Sequence, residues 1–168
     1  LEADTDVLFL SLNPGQAPAH FDKEMISDER GNSYQVELND SLSPLNKQFI
    51  ELINLTGLSL NNVLTGAYVP FRTNRWSDLT SSQAEKSLEL ASSFWGPLIN
   101  RHKITICCGM TVFREVLDNV EPTGSLKTVN SGWGKVKIRI QDTATSTIIG
   151  LPHLSSFRLL SKEKSRLI

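Results

Sequence analysis

Asp6-Val7-Leu8-Phe9-Leu10-Ser11-Leu12 runs straight into Asn13-Pro14-Gly15. The near-continuous apolar run predicts a strand buried on both faces, because a strand wetted on one side alternates apolar with polar residues. Asn-Pro-Gly then turns the chain. Two further runs share this character: Ile104 to Cys108 (ITICC), followed by Gly109, and Thr147 to Leu151 (TIIGL), followed by Pro152-His153. Helical signals lie between them. Ser43-Pro44 supplies an N-cap and a first turn, Leu45, Phe49, Leu52 and Ile53 fall at helical spacing, and Gly57 stops the helix. Thr80-Ser81-Ser82 opens a long helix to about Asn100, which Gly96-Pro97 is expected to kink or split. Val112, Phe113, Val116 and Leu117 mark another helix after Gly109. Leu60 to Val69 contains a further strand, and Val136 to Gln141 (VKIRIQ) alternates as a half-exposed or edge strand does. Phe21 to Asn39 is polar and reads as a long loop. Alternating strands and helices predict an α/β fold. The expected architecture is a three-layer sandwich around a central, mainly parallel sheet of four to five strands, one domain over residues 1–168.

A chain of 168 residues, 39% hydrophobic and 21% charged, can bury a full core without disulfide or metal. These values exclude disordered, collagen-like and coiled-coil chains. No apolar run approaches the roughly 20 residues of a membrane span, and no basic-then-apolar leader is visible. Lys and Arg number 17 against 18 Asp and Glu, for a net charge of -1. That excludes nucleic-acid binding by bulk charge and leaves room for a local basic groove. Cys107 and Cys108 are neighbours in a strand, so they point to opposite faces and are expected to be free thiols. Such usage fits a reducing cytoplasm. His20 and His102 have no metal-ligand spacing with the cysteines, and no metal or cofactor is expected. The absence of a GxxxxGK[ST] or GxGxxG loop weighs against an unrelated nucleotide-binding protein.

Parallel sheets hold ligands beyond the carboxyl ends of their strands. Here Asn13 to Gln16, Tyr68 to Arg72 and Pro152 to Arg158 follow strand ends, and the topology should gather them at one edge. In that order they resemble the uracil-DNA glycosylase superfamily. Leu10 to Gly15 is similar to the water-positioning motif of the mismatch-specific and single-strand-selective uracil glycosylases. Leu60-Asn61-Asn62-Val63-Leu64-Thr65 resembles the strand with the base-reading Asn. Leu151-Pro152-His153-Leu154-Ser155-Ser156-Phe157-Arg158 resembles the late loop that closes on the minor groove. The resemblance spans about residues 5 to 160.

The resemblance implies a monomeric, metal-free DNA glycosylase that flips a base out of the stack and hydrolyses its bond to the sugar. Asn13 is then the water-positioning residue, its amide oxygen accepting from the water. Gly15 and Gln16 offer backbone N–H groups to the base, and Phe21, or less well Tyr34, stacks on it. Asn61 reads the pyrimidine edge, with Asn62 as the alternative. Arg72 and Arg75, with Thr73 and Asn74, bind phosphates, as do the hydroxyls and N–H groups of Ser155 and Ser156. His153 donates to the base as negative charge develops there. The family places its histidine before the proline, whereas here His153 follows Pro152 and Leu151 takes that place. Leu154, Phe157 and Arg158 are the candidate wedges into the base step. Lys162, Lys164 and Arg166 form a short basic tail. No lysine stands where a Schiff base would need one, so the expected product is an abasic site without strand cleavage. Uracil or a related damaged or mismatched pyrimidine is the expected substrate. A bulky modified base of phage DNA, and a non-catalytic DNA-binding relative, are the alternatives.

Overall fold

A computed structural model describes residues 5–15, 34, 43–161 and 163 of the chain. A six-stranded mixed sheet runs through it in the order β2-β1-β3-β6-β5-β4. The strands are β1 (Val7–Ser11), β2 (Val63–Ala67), β3 (Ile104–Cys108), β4 (Pro122–Asn130), β5 (Lys137–Thr143) and β6 (Thr147–Leu151). The first four in the sheet order, β2, β1, β3 and β6, are mutually parallel. β5 joins β6 antiparallel and β4 closes the sheet as a hairpin partner of β5. The sheet is therefore larger than expected and carries an antiparallel hairpin at one side.

All five residues of β1 are buried. Period-two alternation sends them to two cores. Leu8 and Leu10 pack under α2 (Ser81–Ile99) and α3 (Met110–Leu117), with Trp95, Ile99, Val112 and Val116. Val7 and Phe9 face α1 (Pro44–Thr56), with Phe49 and Ile53. Helices thus cover both faces, which makes the three layers. Each fully buried side chain of this size contributes about 1.5–3 kcal/mol.

α1 begins where its sequence dictates: Ser43 Oγ accepts from the Asn46 N–H over 3.1 Å, and Gly57 ends the helix with φ of 67°. α2 begins with a capping box, in which Thr80 and Gln83 satisfy each other's backbone N–H groups. It continues unbroken through Pro97, against the expected split. Pro97 lies in the last turn, so its missing N–H removes one bond at the end of the ladder. Gly66 on β2 lets α2 approach the sheet closely, because a Cβ there would lie 2.4 Å from the Trp95 ring.

Two other expectations need correction: Asn61 and Asn62 as strand residues, and Tyr34 as a stacking residue. Leu60–Asn62 is a 3-10 turn, and the strand starts only at Val63. Val136 to Gln141 overlaps the half-exposed strand β5, between β4 and β6, and the edges of the sheet are β2 and β4. β4 itself carries no apolar signature; eight of its nine residues are exposed. Tyr34 is helical and buried, its ring 5.8 Å from that of Phe9 and 4.4 Å from that of Phe49. It is core and is not free to stack on a ligand. No described helix is long and apolar enough to cross a membrane.

Candidate active site

The chain steps from β1 to β2 on one side and returns to β3 on the other. Such a reversal opens a crevice outside the carboxyl ends of β1 and β3. The segments leaving β1 and β2 are tied together there. Tyr68 and Val69 donate their N–H groups to Ser11 and Leu12 carbonyls over 2.7 and 2.8 Å. Asn13 Nδ2 donates to Thr73 Oγ1 over 2.8 Å and to the Pro14 carbonyl over 3.2 Å. These bonds occupy the amide's donor side. Among the described residues, no donor reaches Asn13 Oδ1. The half-buried amide thus keeps its oxygen as an acceptor without a donor among the described residues.

On the other side of β3, the Gly109 N–H donates to the Leu151 carbonyl over 2.9 Å. Gly109 has φ of 115°, and a Cβ there would lie 3.4 Å from the His153 ring. Glycine is needed for the backbone angle and leaves room for the imidazole. The loop behind it is a tight turn: Ser156 and Phe157 N–H groups both donate to the His153 carbonyl. His153 Nδ1 lies 2.7 Å from Ser155 Oγ. Burial holds the His153 pKa below the usual histidine value, so the ring is neutral at pH 7. With the serine proton on that bond, Nε2 carries the ring's N–H as a donor.

A cavity of about 470 Å³ lies between this loop, α3 and the hairpin. Leu12, Gly109, Thr111 and His153 line one part of it, and Lys135, Lys137 and Arg139 the other. Trp133 at the hairpin tip meets Phe157 edge-on at 6.3 Å, which ties the tip to the late loop.

The predicted site residues divide accordingly. Asn13, Gly15, Arg72, His153, Ser155, Ser156, Phe157 and Arg158 all follow carboxyl ends of parallel strands. Arg72 is exposed and donates to the Gly15 carbonyl over 3.0 Å. Arg75 is exposed further along the same segment. Ser155, Ser156 and Arg158 are also exposed, and Phe157 is half-buried. Leu154 is fully buried and packs in the α1-side core, while its N–H donates to Cys108 Sγ over 3.3 Å. It is held as core and is not available as a wedge. Asn61 and Asn62 precede β2, whose first residue pairs with Val7 at the start of β1. They therefore lie at the amino edge, about 20 Å along the strands from Asn13 at about 3.3 Å per residue. Neither is brought to the crevice. Gln16, Phe21 and the tail from Lys162 to Arg166, Glu163 apart, lie outside the described residues.

Sequence reasoning assigned no role to Lys135, Lys137 and Arg139. Their signal is period two in Lys-Val-Lys-Ile-Arg-Ile, which places alternate residues on one face of a strand. Thr73 was grouped with its arginine neighbours, and its bond to Asn13 joins segments 60 positions apart. Among the described residues, no group of three or more His, Cys, Asp or Glu converges as a metal site would require.

No protein-family model and no curated protein matches the sequence. Among solved structures, it is similar to a domain of unknown function from Bordetella bronchiseptica, a domain-swapped dimer with bound citrate. The identity is 12% and the TM-score 0.41, over 98% of this chain and 41% of that one. The chain therefore spans about two fifths of that protein's length.

Proposed function

We propose that the protein is a DNA glycosylase of the uracil-DNA glycosylase type, hydrolysing the bond between deoxyribose and a flipped-out uracil or related pyrimidine. The observation that carries the reading is the pair Asn13 and His153, each two residues past the carboxyl end of a strand that flanks β3. The strands that lead to them, β1 and β6, are two strand spacings apart, about 10 Å. Asn13 Oδ1 is the open acceptor for the attacking water, and its donor side is held by Thr73. Neutral His153 stands across β3 to donate toward the departing base.

The sugar C1′ loses the base and gains the water oxygen. The base departs as an anion, and the proton that the water loses on joining C1′ then passes to it, giving the neutral base and an abasic sugar. An amide cannot take that proton, so Asn13 acts by placing the water rather than by deprotonating it. Pyrimidines such as uracil suit this division because their anions leave readily. The carboxyl-edge motifs support this reading. Asn61 at the amino edge does not take part, and a base reader must come from elsewhere in the chain.

The test uses end-labelled oligonucleotides carrying uracil, a thymine mismatch, or 5-substituted and glucosylated cytosines, single- and double-stranded, with alkali to reveal abasic sites. Uracil excision by the wild type that falls about 100-fold in Asn13→Ala, with oligonucleotide affinity unchanged, is the expected result. Cleavage only at a modified cytosine would move the substrate to bulky bases. Binding without cleavage of any substrate would replace the enzyme by a DNA-binding module.

A further inference from the structure

The hairpin gives the cavity a charge that the rest of the chain lacks. Lys135, Lys137 and Arg139 all line it, and among the described residues no carboxylate does. The chain as a whole is at -1. Arg139 is only half-exposed, and among the described residues no acidic side chain pairs with it or with Lys135. Lys137 donates to Asn130 Oδ1, which holds the ammonium in place without neutralising it. A partly desolvated guanidinium and two ammonium groups gathered on one concave wall repel one another unless an anion joins them. The opposite wall is the start of α3, where Gly109 caps without a side chain. The Thr111 hydroxyl lines the cavity beside it. His153, its pKa lowered by burial, adds no competing charge at neutral pH.

From this we infer that the cavity is a phosphate-group site, with Arg139 and Lys137 as its principal cationic ligands and Lys135 at its mouth. Arg139 offers a planar fork suited to two phosphate oxygens, and Lys137 a point charge. Resting on the DNA reading above, the phosphate is a diester of the strand. It is gripped on the hairpin side of His153 while the flipped nucleotide lies toward Asn13. The hairpin, pinned to the late loop by Trp133 and Phe157, then acts as a clamp on the backbone that is indifferent to the base.

The experiment measures binding of a fluorescein-labelled single-stranded thymidine oligonucleotide, free of uracil, by anisotropy across a series of NaCl concentrations. Wild type is compared with K137Q/R139Q, with K137Q alone at an exposed position, and with K86Q on α2 as a remote control. Each lost phosphate contact should lower the slope of log Kobs against log salt by about 0.7. The expected result is a fall of about 1.4 for the double variant and about 0.7 for K137Q, with at least about tenfold weaker binding at low salt for the pair. K86Q should match wild type. A parallel arm follows thermal unfolding with inorganic phosphate added. If the slopes agree but phosphate raises the wild-type Tm and not that of the double variant, the site stands with free phosphate as its source. Equal slopes and equal phosphate response in wild type and K137Q would overturn the proposal. The probe contains no excisable base, so an inactive glycosylase assay leaves this outcome untouched.

Discussion

Asn13 Nδ2 donates to Thr73 Oγ1 over 2.8 Å, across 60 positions of sequence. The bond joins the turn after β1 to the segment after β2 and fixes which end of the amide is its donor side. Removing the hydroxyl leaves the amide held only by its 3.2 Å bond to the Pro14 carbonyl, and under the proposed function an amide that turns over presents a donor where the water needs an acceptor. A neutral hydrogen bond is worth about 1 kcal/mol net. Thr73→Val is therefore expected to lower kcat for uracil excision about fivefold with KM little changed, and Thr73→Ser to restore it. Equal loss in both variants would make the role of Thr73 structural.

His153 gives a pH dependence of defined sign. Burial holds its folded-state pKa below the usual 6.5, so the unfolded chain binds the extra proton more readily. The stabilisation that follows is present above about pH 6.5 and is lost as pH falls through the lower, folded value. Tm measured from pH 8 to 5 should show this as a difference between wild type and His153→Gln. The difference is flat above neutrality and shifts against the wild type on acidification. A constant difference throughout would show that the imidazole is not desolvated.

Three of the strands were legible because they are buried on both faces: Val7 to Ser11, Ile104 to Cys108 and Thr147 to Leu151 carry the signal in composition alone. α1 was legible through Ser43, Pro44 and Gly57, whose local chemistry does not depend on tertiary contacts. β4 was not, because an exposed edge strand has no core-facing residues to betray it, and pairing with β5 is a property of the backbone. Asn13 and His153 could be placed from strand ends. Asn61 was misplaced by a few residues of boundary: a 3-10 turn ahead of Val63 puts it at the wrong edge of the sheet. Leu154 failed differently, since a loop position gives no sequence sign that its side chain turns inward.

Glycines set the distances on which this edge depends. Gly66→Ala would push a methyl to within 2.4 Å of the Trp95 ring, whose Nε1–H is held by the Tyr68 carbonyl at 2.9 Å. The ring cannot withdraw without breaking that bond, so an overpacking cost of about 1–3 kcal/mol is expected. At about 2–4 °C per kcal/mol for a chain of this size, thermal denaturation should show a fall of several degrees. Gly109→Ala adds backbone strain at φ of 115° and presses on His153. It should lower both Tm and excision, whereas Gly66→Ala should lower Tm alone.

Cys108 links the same edge to the core. Its Sγ accepts the Leu154 N–H, and burial pushes its pKa up to about 12, offset only in part by that bond. Burial also raises the Cys107 pKa, with the neighbouring Cys108 adding to it. The thiolate is the reactive form, so neither cysteine should react with a disulfide reagent at pH 8 in the folded protein. Both should react in guanidinium. Native labelling at the rate of unfolded thiols would mean that β3 is open to solvent, and the loop carrying His153 would lose its anchor. Cys108→Ala tests that anchor directly. It leaves the buried Leu154 N–H without an acceptor, at a cost of about 1–3 kcal/mol, and should lower excision together with Tm, because the loop that positions His153 hangs from this bond. An alanine variant that loses Tm but keeps full excision would show that the loop is held by Gly109 and Leu151 alone.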